Sequence, residues 1–155
     1  MRRTIICATL LSLAAGSAAA QSRISVWDGV YTDAQAERGG VQFQQHCGRC
    51  HGANLAGTFE TPPLVGRFKP YWSGATMDVL FDYVATAMPL DHPGSLSRAA
   101  NADILAFILK ANGFPAGAKE LSASSEDLKN IRFDAVRPPP ETKPKPSRKK
   151  SARPQ

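Results

Sequence analysis

The chain has 155 residues, 43% of them hydrophobic, which is enough for one compact domain and too few for two of ordinary size. Its formal net charge of +6 is unevenly divided: residues 1–20 carry +2, residues 138–155 carry +5 from six Lys and Arg against one Glu, and residues 21–137 carry −1. The central segment has no basic excess, so the charge does not indicate a nucleic-acid-binding domain and we expect no nucleic-acid partner.

Residues 1–20 have the pattern of a secretory signal peptide. Two arginines precede a short apolar run, which ends in the small-residue stretch AAGSAAA. The run is well short of the roughly 20 residues that span a bilayer. We predict cleavage after Ala20, a mature N-terminus at Gln21, loss of Cys7 with the leader and a periplasmic location in a bacterium.

Residues 21–137 are predicted to form one all-α domain. Helical periodicity or capping residues mark segments at about 33–46, 76–87, 97–112 and 125–131. Asp33, Thr76 and Ser97 are the predicted N-caps, and Gly113 ends the third helix. No segment shows strand-like alternation of useful length.

Residues 52–75 contain seven glycines and prolines, which excludes a long regular element. So long a loop in a compact domain is usually functional or wrapped around another group. Short helices with such a loop bury little apolar area by themselves. A large apolar cofactor would supply the missing core.

Residues 138–155 read PPPETKPKPSRKKSARPQ and are predicted to be a disordered basic tail. One hypothesis is that the tail strengthens docking to an acidic partner or an anionic membrane, through attraction that salt screens. The alternative is a solubilising tail with no specific role.

Cys47, Cys50 and His51 form the compact motif CGRCH, for which three chemistries are open. A zinc site would need His46 or His92 as the fourth ligand, but no second ligand pair follows at zinc-site spacing. A redox dithiol normally lies within a βαβ framework, which is missing, and a structural disulfide leaves the adjacent histidine unexplained.

Covalent haem attachment uses all three residues of the motif. Cys-x-x-Cys-His is the known sequence requirement for binding haem c, one covalent haem per motif. The two thiols add to the vinyl groups on one edge of the porphyrin, and the histidine that follows binds the iron. We therefore predict that Cys47 and Cys50 attach the haem and that His51 is an iron ligand.

Residues 27 to about 131 resemble a class I c-type cytochrome with one haem. The family places a glycine and an aromatic residue eight and four positions before the first haem cysteine, which here are Gly39 and Phe43. Their expected partners are Ile104 and Phe107 in ADILAFILKAN, similar to the family's final helix. The resemblance implies the cytochrome c fold, with three to four helices and long loops around one haem.

The resemblance also assigns residues around the proximal histidine. Pro62-Pro63-Leu64 resembles the Pro-x-Leu segment whose proline carbonyl accepts a hydrogen bond from the histidine ring, so Pro62 is the candidate acceptor. Such a bond orients the ring and raises its basicity. Arg67 and Trp72 are candidates for donating to a haem propionate, as an Arg and a Trp do in many relatives.

The mature chain offers Met77, Met88, His46 and His92 as the second axial ligand. Met77 belongs to a helix stripe, and His46 is too close to Cys47 to reach the other face of the ring. Met88, followed by proline after the second helix, resembles the family's Met-Pro ligand site. His92 and an open or labile position remain alternatives to Met88.

A haem iron with two axial ligands suits electron transfer, not catalysis, so no enzyme activity is expected. The alternatives are a haem enzyme or gas sensor with an open iron, and a tethering module in which the tail matters most.

The stretches VWDGVYT and NGFPAGAKEL are similar to flanks in cytochromes that accompany periplasmic quinoprotein dehydrogenases. That resemblance implies a PQQ-dependent dehydrogenase as electron donor and a terminal oxidase or another cytochrome as acceptor.

Overall fold

The computed structural model describes residues 24–139, and the all-α fold class is confirmed for this part of the chain. Its elements, in chain order, are β1 (Ile24–Ser25), a 3-10 turn (Val26–Asp28), α1 (Asp33–His46), α2 (Gly48–His51), α3 (Phe68–Trp72), α4 (Met77–Ala87), α5 (Arg98–Ala111), α6 (Ser125–Leu128) and β2 (Ile131–Arg132). The predicted leader, and the predicted tail from residue 140 onward, lie outside the described residues.

The capping residues of the two long helices explain where those helices begin. The Thr32 hydroxyl accepts a hydrogen bond from the backbone N–H of Gln35 at 3.1 Å, so Thr32 is the N-cap of α1. The prediction of Asp33 as the cap was wrong by one residue. Asp33 is instead the first helical residue, where its negative charge interacts favourably with the positive end of the helix dipole. Ser97 caps α5 as predicted, by accepting from Ala100 N–H at 3.1 Å.

The core of the domain is the crossing of α1 and α5. A Cβ atom on Gly39 would lie 1.8 Å from the carbonyl oxygen of Asp103, so only glycine lets the two backbones come this close. The Phe43 and Phe107 rings pack beside this point with centroids 5.3 Å apart. The predicted contact between the two helices is therefore confirmed.

α4 completes the helical core and ends directly before Met88. Met77, Leu80 and Phe81 are fully buried on its inner face. The helix ends at Ala87, because Met88 has extended backbone and proline follows. Among residues 24–139, no helix is long and apolar enough to cross a membrane.

The long loop contains one element that the sequence analysis did not predict, the five-residue helix α3. Its proline lies in the first turn, where the missing N–H costs little. Phe68 of α3 is buried, and its ring packs edge-on against Phe133 at 5.7 Å. α3 is thus held by the C-terminal part of the domain.

The segments before α1 and after α5 pack together and form a small clamp. β1 and β2 pair in parallel, with Ile24 opposite Ile131, although no strand was predicted. Two-residue strands carry too few side chains to show alternation. The clamp reaches the helices through Phe133, which is fully buried and exchanges backbone hydrogen bonds with residues 74 and 75 at 2.9 Å.

Candidate functional site

The CGRCH motif lies at the junction of α1 and α2. Cys47 ends α1, and its carbonyl oxygen accepts hydrogen bonds from the N–H groups of Cys50 at 3.1 Å and His51 at 2.9 Å. This single turn brings the side chains of Cys47 and Cys50 to the same side, because residues three apart are neighbours on a helix. Both cysteines line the same cavity as His51.

The pKa of the Cys47 thiol is raised to about 11, first by burial and then by the neighbouring Cys50. The thiol is therefore protonated at neutral pH. Cys47 therefore lacks the lowered pKa of an attacking redox cysteine.

The His51 ring is oriented by a hydrogen bond to the loop. Its Nδ1 atom lies 3.0 Å from the carbonyl oxygen of Pro62. A carbonyl can only accept, so Nδ1 carries the hydrogen and donates it. Nε2 is then left with its lone pair, which is the form of imidazole that binds a metal.

The cavity is about 990 Å³ in volume, at the upper end of the roughly 300–1,000 Å³ typical of ligand sites. Its lining is mainly apolar and aromatic. It includes Phe68, Leu80, Tyr83, Val84, Ile104 and Ile108, from α3, α4 and α5. Two thiols, an imidazole and a thioether in an apolar cavity of this size are the groups that a covalently bound haem requires, so the site fits that cofactor.

Every residue predicted to contact the haem lines this cavity. Besides the motif residues, these are Pro62, Arg67, Trp72 and Met88. Arg67 is exposed and Trp72 is half-buried, with its ring 6.4 Å from Phe68. The structure brings together residues that span more than forty positions of the sequence.

The four candidates for the second axial ligand are placed differently. Met88 lines the cavity at the end of α4, whereas Met77 is fully buried in the core and is not among the lining residues. His46 also lines the cavity, next to Cys47. His92 instead borders a smaller cavity of about 330 Å³, and its side chain is exposed.

An ion pair at the rim of the site was not predicted. Arg49, between the two cysteines, pairs with Asp91, three residues after Met88. Desolvation raises the pKa of Asp91, but Arg49, a backbone hydrogen bond and His92 together outweigh it and hold that pKa below its ordinary value. The two partners are 42 positions apart, so no local pattern could have shown the contact.

Asn112 is a second unpredicted residue near the site. Its side-chain amide is buried at the end of α5 and donates to the Leu64 carbonyl at 2.8 Å. The sequence places Asn112 just before a helix-ending glycine, which indicates only a helix terminus. Its link to the loop depends on the tertiary fold.

A helical domain whose first and last long helices cross at a glycine, with a Cys-x-x-Cys-His turn at the end of the first helix, has the architecture of a class I c-type cytochrome. Residues 34–108 match the protein family described as cytochrome c oxidase, cbb3-type, subunit III. The matched region contains the CGRCH motif and most of both crossing helices, and it supports the assignment to the c-type cytochromes, a family that holds haem c covalently and carries electrons.

No curated protein matches the chain. Among solved structures, it is similar to the sulfane dehydrogenase SoxCD from Paracoccus pantotrophus, with a TM-score of 0.46 and 23% sequence identity. That match covers 79% of this chain and 68% of the other.

Proposed function

We propose that the chain is a periplasmic electron carrier with a single haem c, attached through Cys47 and Cys50 and ligated by His51 and Met88. The observation that carries the proposal is the 3.0 Å contact between His51 Nδ1 and the Pro62 carbonyl, because it leaves Nε2 free to bind iron inside the apolar cavity. When bound, the haem supplies a one-electron Fe(III)/Fe(II) couple.

The protein's own residues set the properties of this site. Met88 contributes a soft, neutral thioether, which favours Fe(II) more than a second imidazole would. The buried Leu80, Ile104 and Ile108 exclude water, which disfavours the additional charge of Fe(III). Both effects give a high reduction potential. Arg67 and Trp72 are proposed to donate to the haem propionates.

The test of the axial ligand compares two methionine variants of the holoprotein. Met88→Leu removes the thioether at nearly constant volume, and Met77→Leu makes the same change in the core outside the cavity. We expect the ferric wild type and Met77→Leu to show the weak red absorption band of methionine ligation, and Met88→Leu to lack it. Carbon monoxide should bind only to reduced Met88→Leu.

Two results would contradict the proposal. If the wild type lacked the red band and bound carbon monoxide freely when reduced, the sixth position would be open, as in a haem enzyme or gas sensor. If the band survived in Met88→Leu, another methionine, Met77, would be the ligand.

The proposed donor is a PQQ-dependent dehydrogenase, and the proposed acceptor is a terminal oxidase or another cytochrome. The donor is supported by the two flanking stretches that resemble those of quinoprotein-associated cytochromes. These flanks form one packed unit: the Trp27 and Phe114 rings lie 4.7 Å apart, and Gly117 N–H donates to the Tyr31 carbonyl at 2.6 Å. The matched family is named for an oxidase subunit, which supports an oxidase as acceptor.

Stopped-flow mixing with a purified PQQ-dependent dehydrogenase tests the donor. Rapid reduction that saturates with dehydrogenase concentration is expected, and reduction no faster than by an unrelated flavin dehydrogenase would contradict the proposed donor.

A salt series with and without residues 138–155 tests whether the basic tail aids docking, because screened attraction must weaken as salt rises. Periplasmic export with cleavage after Ala20 predicts Gln21 as the first residue of the mature protein.

A further inference from the structure

We infer that Asn112 is a positioning residue for the axial histidine, which it controls by fixing the loop that carries the Pro62 carbonyl. The inference rests on the proposed role of His51 as an iron ligand. It concerns a residue that does not line the haem cavity and lies 61 positions after the histidine.

Asn112 uses its side-chain amide to join a helix to a loop. The residue is 7% exposed and forms the C-terminal cap of α5. Its Nδ2 donates to the Ile108 carbonyl at 2.9 Å, within the last turn of the helix, and to the Leu64 carbonyl at 2.8 Å. The second bond links α5 to a segment 48 positions earlier.

On the C-terminal side of Pro62, Leu64 is the nearest residue whose backbone hydrogen bonds can anchor the Pro62 carbonyl; on the N-terminal side the Thr61 carbonyl accepts from Thr58 N–H at 2.9 Å. Pro62 and Pro63 have no N–H, so Leu64 carries the first backbone donor after them. That N–H donates to the Leu55 carbonyl at 2.8 Å, while the Leu64 carbonyl accepts from Asn112. Both backbone groups of Leu64 are therefore fixed.

The two prolines restrict how far the Pro62 carbonyl, which contacts His51, can move relative to Leu64. Their rings lock φ near −65°, which leaves little freedom between the Leu64 backbone and the Pro62 carbonyl. On the other side the segment packs against Gly57, where a Cβ atom would lie 2.3 Å from the Thr61 carbonyl oxygen. The carbonyl is thus held between a tight backbone contact and the hydrogen bonds of Leu64.

Loss of the Asn112 amide would release one of these constraints. The Pro62 carbonyl would then sample orientations in which the His51 Nδ1–H bond is long or broken. A histidine without that bond is a less basic ligand, so Fe(III) is less stabilised and the midpoint potential rises. The ring hydrogen would also exchange faster with solvent.

Asn101 provides a matched control on the same helix. It is 1% exposed, and its Nδ2 donates to the carbonyls of Leu96 at 3.4 Å and Ser97 at 3.1 Å, both at the N-terminal end of α5. In both asparagines Oδ1 is buried without a hydrogen-bond partner among the described residues. Replacing either by leucine removes a buried amide, but only Asn112→Leu disconnects the loop.

The experiment measures the exchange of the His51 Nδ1 hydrogen in the reduced holoprotein, by NMR with ¹⁵N-labelled histidine. Backbone amides of α1 report global opening in the same sample. We expect Asn112→Leu to accelerate exchange at Nδ1 about tenfold more than at the α1 amides, as for a weakened hydrogen bond, and to raise the midpoint potential. Asn101→Leu should accelerate both sites equally and leave the potential unchanged.

The inference is overturned if Asn112→Leu and Asn101→Leu change exchange and potential to the same extent, which would make Asn112 a purely structural residue. If Asn112→Leu does not fold, Asn112→Ala gives the same comparison against Asn101→Ala. Failure of the proposed function is distinct, because the wild type itself would then lack a haem-shifted His51 resonance.

Discussion

Tyr31 connects the segment before α1 to the segment after α5. Its hydroxyl is buried and donates to the Phe114 carbonyl at 2.6 Å. Burial, aided by the negative charge of Asp33, raises the pKa of Tyr31 from 10.0 to about 12. The folded protein therefore favours the neutral phenol more strongly than the unfolded chain does.

Tyr31→Phe is expected to change how stability depends on alkaline pH. The stabilisation from a raised pKa is complete below pH 10 and is lost as pH rises through 12. At pH 7 the variant should be less stable by about 1 kcal/mol, from the lost hydrogen bond. By pH 12 the free energy of unfolding of the wild type should fall by about 2 kcal/mol, a loss that the variant does not share. The stability difference between the two proteins then disappears or reverses.

Guanidinium denaturation between pH 7 and pH 12, followed by circular dichroism, measures this effect. Tyr71→Phe, which removes an exposed hydroxyl, is the control. Parallel pH profiles for the wild type and Tyr31→Phe would show that Tyr31 does not contribute as described.

At the scale of single residues, the sequence indicates the candidate site where its chemistry is local. Cys47, Cys50 and His51 lie within five positions, and Met88 stands beside a helix-stopping proline. The links that hold these residues in place are not local. The Asn112–Leu64 and Arg49–Asp91 contacts join residues 48 and 42 positions apart, and neither has a sequence pattern.

Among the elements, the crossing of α1 and α5 is the most sensitive to substitution. Gly39→Ala would gain about 1 kcal/mol in helix propensity. Its Cβ, however, would lie 1.8 Å from the Asp103 carbonyl oxygen and 2.4 Å from the carbonyl carbon, both backbone atoms. The helices would have to separate, so we expect a net loss of more than about 4 kcal/mol.

Gly40→Ala is the matched control, since it adds the same methyl group one residue later. Its nearest neighbour would be the Phe107 ring at 3.3 Å, a side chain that can shift. Denaturation midpoints of the two holoproteins measure the contrast. Equal midpoints would mean that the close backbone approach does not limit the packing of the helices.

The longer elements were predictable because periodicity and caps extend over several turns. α1, α4 and α5 begin and end within a residue or two of the expected positions. α3 and the two strands were missed because five residues or fewer carry no period, and tertiary contacts stabilise them. Phe133 shows this directly: it is fully buried, yet its neighbours in sequence give no sign of a core position.

At the scale of the whole molecule, the cavity determines how far the fold depends on its cofactor. The cavity of about 990 Å³ is lined mainly by apolar side chains of α3, α4 and α5, and without a cofactor this surface would be left in contact with water. The polypeptide without haem should therefore not retain its native packing.

Cys47→Ser/Cys50→Ser, which prevents covalent attachment, is expected to give an apoprotein that binds a hydrophobic dye and lacks a cooperative denaturation transition. Near-ultraviolet circular dichroism and denaturation curves measure this. A single Cys50→Ser variant, which keeps one thioether, is the control. A cooperative transition at the wild-type midpoint in the double variant would show that the helices alone stabilise the fold.

The clamp between β1 and β2 brings residues 24 and 131 together as paired neighbours, roughly 5 Å apart across the ladder. The lining of the cavity comes from residues 46 to 108, so neither strand touches the cofactor site. A unit whose ends meet away from its redox centre can be inserted into a surface loop of a larger enzyme without stretching either junction. Further polypeptide joined at either end would therefore leave the lining of the cavity unchanged.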